Sequence, residues 1–296
     1  MAKEVLVEDV EKIKELALKV LGTDAIGDVA RLGGMTNHTY KVTMQNGAQY
    51  VFRIPGEGTE ELICRGDERV STELACKLGI DSPMLYFGEN GEKVTVYIEN
   101  ALTLDAVSLR KDKAIEDVAH IFRRLHTCGV DTGVPFEVFD MAKSYEDIIY
   151  ANNVSMFDDY EQVKQRIFTL KGEIDAKGAA APVPCHNDSL CENWVYSGDR
   201  LYLIDWEYAG MNDGMWDLAD VSIEADYSKE NDELLLRSYF GKEPDELERK
   251  RFIANKLYLD YLWSLWGKTR VPYDGDFMEQ YALDRYLRLK KNLEQI

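Results

Sequence analysis

The sequence predicts an α+β protein, and three observations carry that prediction. The first third alternates apolar and polar residues around two Asn-Gly turns. The rest is dominated by helical spacing, and one polar-rich β-hairpin interrupts it. Taken in order, MAKEVLVEDVEKIKELALKVLG reads as an amphipathic helix, acidic early and with lysines throughout. It lacks the unbroken apolar centre of a secretion signal, so a soluble cytoplasmic protein is expected. A strand over 28–32 leads through Gly33-Gly34-Met35-Thr36-Asn37 into a hairpin. Tyr40, Val42 and Met44 alternate on one side of Asn46-Gly47, and Tyr50, Phe52 and Ile54 on the other. Residues 67–78 have helical spacing, with Val70, Leu74 and Leu78 on one face and Gly79 as a stop. A second hairpin, 84–87 with 93–98, turns at Asn90-Gly91. Beyond Glu99-Asn100, helices are predicted over 113–128, 144–150, 160–171, 231–239, 244–266 and 276–293. Pro244 fits the first helical position, where its missing N–H costs nothing. The only later strand pair is 194–196 with 201–204. The expected division is a sheet-rich part, residues 1–99, and a helical part, 100–296.

Composition narrows the function classes. The 296 residues carry a formal charge of −19 without a basic block, so a nucleic-acid partner is not expected. No apolar run is long enough to span a bilayer, so neither is membrane insertion. The five cysteines are odd in number and scattered, the pattern of free thiols. Cys185, His186 and Cys191 lack a fourth ligand at zinc spacing.

The chemistry concentrates in CHNDSLCENWVYSGDRLYLIDWEYAG, residues 185–210. Asp188 and Asn193 bracket the start of one predicted strand, and Asp205 ends the next. A hairpin brings Asn193 and Asp205 toward one point, and an amide oxygen with a carboxylate suits Mg²⁺, which fills its shell with phosphate oxygens and water. Asp188 is left to accept a hydrogen bond from an incoming hydroxyl. This is the division of labour in kinases: one Asp for the nucleophile, an Asn and a second Asp for the metal. Alone, each residue would read as a turn or cap. Together, at this spacing, they point to phosphoryl transfer.

The pattern H-N-D-x-x-x-x-N followed by I-D-W-E-Y resembles the signature of choline/ethanolamine kinases and their aminoglycoside-phosphotransferase relatives. Glu207-Tyr208-Ala209-Gly210 through Trp216-Asp217-Leu218-Ala219 looks like bacterial choline kinase, and the likeness runs from Gly33 to the final helix. The resemblance implies a bilobal protein-kinase-like fold, with a small antiparallel-sheet N-lobe and a larger helical C-lobe. It also implies ATP-dependent phosphorylation of a small alcohol, with His186 bracing the catalytic loop.

For the nucleotide, the turn Gly33, Gly34 and Asn37 offers backbone amides to phosphates, and Arg53 supplies a cation in an otherwise apolar strand. Glu68 and Glu73 are both candidates to pair with Arg53, and the resemblance favours Glu68. Backbone near Ile98 faces adenine by resemblance. For the substrate, a quaternary ammonium needs aromatic faces and a nearby acid. Trp263 and Trp266 share a helix face. Tyr281 and Glu224 match pocket positions of the resembled family, and Tyr208 directly follows Glu207. The expected reaction is transfer from ATP to choline with Mg²⁺. The alternatives are an ethanolamine or aminoglycoside phosphotransferase, or a catalytically inactive kinase-like binding module. His126 reads as a helix-end residue.

Overall fold

The computed structural model describes residues 5–33, 37–56 and 63–294. In chain order the elements are α1 (Val7–Leu21), β1 (Ile26–Gly33), β2 (Asn37–Met44), β3 (Gln49–Pro55), α2 (Arg65–Lys77), β4 (Met84–Phe87), β5 (Lys93–Val96) and β6 (Leu102–Thr103). Then come α3 (Ala106–Leu109), α4 (Asp112–His126), α5 (Val138–Ala151), α6 (Tyr160–Gly178), β7 (Val183–Cys185), β8 (Trp194–Ser197), β9 (Arg200–Leu203) and β10 (Gly210–Asn212). The chain ends with α7 (Met215–Glu224), α8 (Lys229–Phe240), α9 (Glu246–Asp274) and α10 (Asp276–Leu293). The mixed α+β class expected from the sequence is what the structure shows.

Two compact units emerge. Unit 1 comprises Met1–Leu104 with Glu192–Ala209, and unit 2 comprises Asp105–Cys191 with Gly210–Ile296. The sequence-based division differs, because it left the hairpin β8–β9 with the helices. The physical reason is pairing: β6 runs antiparallel to β8, Leu104 donates its N–H to Trp194 O at 2.9 Å, and Leu203 donates to Ile80 O at 3.2 Å.

Unit 1 is a five-stranded antiparallel sheet, ordered β1-β2-β3-β5-β4, with the three-stranded β6-β8-β9. Alternation decides its inner face: Tyr40, Val42, Met44, Phe52, Ile54 and Val94 form one core with Ile13, Leu16 and Ala17 of α1. The polar end of Tyr40 is satisfied within that core, donating to buried Asp9 at 2.6 Å. The apolar face assigned to α2 is only partly correct. Val70 is 41% exposed, and the buried side of the helix carries Arg65, Glu68, Ser71, Thr72, Leu74 and Ala75. That side faces charged partners rather than an oily core.

Unit 2 is built on α9, which packs against α5, α6, α7 and α10. The prediction for α9 misplaced both ends. Pro244 lies before the helix; Asp245 is the N-cap, its side chain and that of Glu248 each accepting the other's backbone N–H. The helix then continues to Asp274 with Pro272 inside its last turn. Unit 2 also holds a two-stranded sheet that the sequence reading did not find, β7 against β10 with Cys185 opposite Gly210. Three residues are too short a run to show periodicity. Among the described residues, no helix is long and apolar enough to cross a membrane.

Candidate active site

In unit 1, the sequence-predicted cation meets its acid. Arg53 on β3 pairs with Glu68 on α2 through both oxygens, Nη2 lying 3.0 Å from Oε2 and Nη1 contacting Oε1. Glu73 is on the exposed side of α2 and pairs with Arg69. Glu68 is 1% exposed. Burial pushes its carboxyl up, but the charges of Lys93 and Arg53, with hydrogen bonds from Arg53 and Arg65, overcome that and hold it at about 2.

Three partners here escaped the sequence reading. Glu207 Oε1 accepts from Asn37 Nδ2 at 2.5 Å, Arg53 Nη1 at 3.1 Å and Arg65 Nη1 at 2.8 Å. Lys93 Nζ lies 3.4 Å from Glu68 Oε1. The signals were present: Arg65 precedes Glu68 by one helical turn, and Glu207 stands two residues after Asp205. Arg53 Nε and Nη2 also donate to Gly91 O at 3.2 and 2.8 Å. All five N–H groups of Arg53 are therefore engaged, and any phosphate oxygen it receives has to replace one of these acceptors.

The hairpin sets Asn193 and Asp205 side by side in sequence register. Trp194 pairs with Leu203, and Ile204 donates to Asn193 O at 3.0 Å. Asn193 lies opposite Ile204, and Asp205 is the next residue. Asp205 has φ +69°, a left-handed conformation that a non-glycine residue adopts at a cost of roughly 1–3 kcal/mol when the surroundings fix it. Its carboxylate is exposed. Burial and the Asp205 charge together raise the Glu207 carboxyl above its ordinary range, against Arg53 and Arg65. Burial is also the main reason Asp81 rises to about 6, with Asp205 adding to it. An exposed carboxylate that repels its acidic neighbours, with an amide-bearing residue across the hairpin just before β8, is a donor set that fits a hard divalent cation.

The other nucleotide-side positions are less informative. Gly33 ends β1, opposite Thr39, and Gly34 lies outside the described residues. Ile98 is half-buried and follows β5 rather than extending it, because ladder pairing ends at Val96. Tyr208, expected on the substrate side, is half-buried in unit 1.

In unit 2, the loop around Asp188 is pinned by α7. Asp217 accepts the N–H groups of His186 and Asn187, each at 2.8 Å. One turn later, Asp220 accepts Ser189 N at 2.5 Å and Ser189 Oγ at 2.9 Å. Asn187 has φ +66°; its carbonyl accepts Trp216 Nε1 at 3.1 Å and its Oδ1 accepts Asn212 Nδ2 at 3.0 Å. Asp188 itself is half-buried, and its N–H points to His186 Nδ1 at 3.3 Å. Loop strain is thus held by side chains other than the proposed base. His126, last in α4, is more than a helix end: it is buried, with Nε2 3.0 Å from Asp217 and Nδ1 2.9 Å from Tyr239 Oη.

Three more of the predicted residues meet on α9 and α10. Trp263 and Trp266 stand edge to face at 6.0 Å, and Trp266 meets Tyr281 the same way at 5.8 Å. Trp263 is 6% exposed, so it serves the core whatever else it does. Glu224, last in α7, accepts from Arg285 Nη2 at 2.7 Å, a partner the sequence reading missed although Arg285 follows Tyr281 by four residues. Burial, then the charges of Glu224 and Asp188, drives the Asp220 carboxyl well above its ordinary range. Acids therefore crowd this part of unit 2.

Comparison with known proteins decides the family. A profile described as choline/ethanolamine kinase matches residues 29–285. The chain belongs to the choline/ethanolamine kinase family. It is 30% identical over 271 residues to Protein LicA of Haemophilus influenzae, covering 88% of this chain and 100% of the relative. The crystal structure of choline kinase LicA from Streptococcus pneumoniae superposes with TM-score 0.82 at 33% identity, covering 98% of this chain and 100% of that one. A LicA structure in complex with AMP superposes with TM-score 0.79 at 33% identity, covering 96% and 98%. The fold is that of the choline kinases: a small antiparallel-sheet unit and a larger helical one.

Proposed function

We propose that this family member transfers the γ-phosphoryl group of ATP to the hydroxyl of choline, giving phosphocholine and ADP. The observation that carries the choice of alcohol is the set Trp263, Trp266, Tyr281 and Glu224 in unit 2: linked aromatic rings with a carboxylate, in surroundings where acids crowd. Such a set attracts a cation and offers faces to one that cannot donate hydrogen bonds. The LicA relatives and the AMP-bound LicA support the same reading.

Asp188 orients the choline hydroxyl and takes its proton, on a loop whose peptide groups Asp217 and Asp220 hold still. Asn193 and Asp205 would hold Mg²⁺. When bound, that ion neutralises charge on the β- and γ-phosphates. Arg53, kept in place by Glu68, adds fixed positive charge for the phosphates. Most of the acceleration comes from positioning and charge compensation.

ADP release measured side by side on choline, ethanolamine and an aminoglycoside tests this reading. The highest kcat/KM is expected on choline. No release with choline and Mg·ATP, or a clear preference for either rival, overturns it.

A further inference from the structure

Resting on the function proposed above, the surroundings of Arg285 bear on which amine the pocket accepts. Tyr281 and Arg285 lie four residues apart on α10, so they share a face. The Arg285 guanidinium sits 4.7 Å from the centre of the Tyr281 ring, and its Nη2 donates to Glu224 Oε1 at 2.7 Å. Arg285 is 9% exposed. Its Nη1 makes no hydrogen bond among the described residues; the nearest acid is Asp260, 3.9 Å away. Asp260 is itself held by Arg288, with contacts of 2.5 to 3.1 Å. A cation of the chain's own thus already holds one Glu224 oxygen and lies against Tyr281, the two groups the sequence reading gave to the substrate cation.

The chemical consequence differs for two classes of amine. A primary ammonium carries three N–H donors and is strongly hydrated, so burying it requires close acceptor oxygens. A trimethylammonium group has no donor. It needs only aromatic faces and a favourable field, and it loses little when a nearby carboxylate is already paired. We propose that Arg285 is a specificity-determining residue: by pairing with Glu224 Oε1 it offsets the charge of that carboxylate and leaves fewer acceptor sites for a primary ammonium, and so tilts the pocket toward a quaternary one.

The test is a double-mutant cycle read as the ratio of kcat/KM on choline to kcat/KM on ethanolamine, with Mg·ATP. Arg285→Met is expected to lower that ratio about tenfold or more by releasing Glu224, with the KM for ATP unmoved. Combined with Glu224→Gln, the ratio is expected to return to within about threefold of the parent value, because the released carboxylate is gone. A ratio unchanged by Arg285→Met, or lowered as far in the double variant as in the single, overturns the proposal. Should Arg285→Met fail to fold, Arg285→Gln, which keeps a polar group where the guanidinium is buried, is read by the same ratio: a fall of about threefold or more supports the proposal, and an unchanged ratio overturns it. If the unaltered protein releases ADP with neither alcohol, this proposal and the function beneath it both fall. An active protein whose ratio ignores Arg285 removes this proposal alone.

Discussion

Each unit buries an arginine against a glutamate from a neighbouring helix, and the two pairs are completed differently. In unit 1, Arg53 has an acceptor for every N–H: Glu68, Glu207 and the Gly91 carbonyl. In unit 2, Arg285 has one hydrogen-bonded partner, Glu224, and leaves Nη1 without one among the described residues. A satisfied buried network is rigid and loses much when one member is removed. An incompletely satisfied group beside aromatic rings responds more readily to what arrives. The contrast separates a part that holds its shape from a part proposed to select the substrate. Changes at Glu68 should therefore appear first as stability, changes at Arg53 also as the KM for ATP, and changes around Tyr281 as alcohol KM.

The largest effects should come from the groups proposed to act on the reacting atoms. Asp188→Asn keeps the size of the side chain and leaves the bonds from the 186, 187 and 189 N–H groups to Asp217 and Asp220 in place. Its kcat should fall about 10³-fold, in line with loss of a positioned base, with the melting temperature within a few degrees of the parent. Near-normal turnover would remove Asp188 from the mechanism. Asp205→Ala should abolish turnover at ordinary Mg²⁺ while the protein still melts cooperatively; a normal rate would end the metal assignment.

Next in size is the satisfied pair. Glu68→Gln leaves two buried guanidinium groups short of a charge, and should cost about 3–5 kcal/mol in urea unfolding at pH 7. The sign of its pH dependence follows from Glu68 being held at about 2, below its ordinary 4.5. A carboxylate with a depressed folded pKa stabilises above its unfolded value and loses that contribution as pH falls toward the folded one. The gap between parent and variant should thus be full at pH 7 and narrow from about pH 4.5 downward. A gap independent of pH would mean the charge on Glu68 is not what stabilises unit 1.

Smaller again is the aromatic face. Tyr281→Leu should raise the KM for choline by about 2- to 30-fold, the range of one cation–π contact of roughly 0.5–2 kcal/mol. The KM for ATP should stay put. Equal changes in both would return Tyr281 to simple packing between α9 and α10, where its ring already lies against Gly267.

How much of this was legible beforehand depended on range. The hairpin around Asn46-Gly47 and the register of Asn193 beside Asp205 were readable because turn chemistry and alternation are local. Arg53 was readable as a charge in an apolar strand, and its need for a partner followed. What escaped were residues whose meaning lies in distant partners. Glu207 sits inside the quoted motif, yet only the fold brings it to Arg53, Arg65 and Asn37. Asp217 and Asp220 look like ordinary helix acids until the 186–189 backbone is seen above them. Arg285 looks like one basic residue in a basic last helix. The short strands β6, β7 and β10 carry too few residues for any period to show.

The smallest expected effect is also the sharpest check on the comparison. Glu68 and Glu73 lie on the same helix, each paired with an arginine, and the sequence offered both as partners for Arg53. Their surroundings differ: Glu68 is buried with its oxygens shared among Arg53, Arg65 and Lys93, whereas Glu73 meets Arg69 at 2.8 Å with both side chains more than half exposed. In water the Coulomb gain of such a pair is offset by hydration and by the entropy of fixing two long side chains, and what remains is about 0.3–0.5 kcal/mol. Glu73→Ala should accordingly shift urea unfolding by less than about 0.5 kcal/mol and leave both KM values alone. A loss comparable with that of Glu68→Gln would mean that α2 depends on its exposed charges as much as on its buried ones, and the distinction drawn between satisfied and solvated pairs would fail within a single helix.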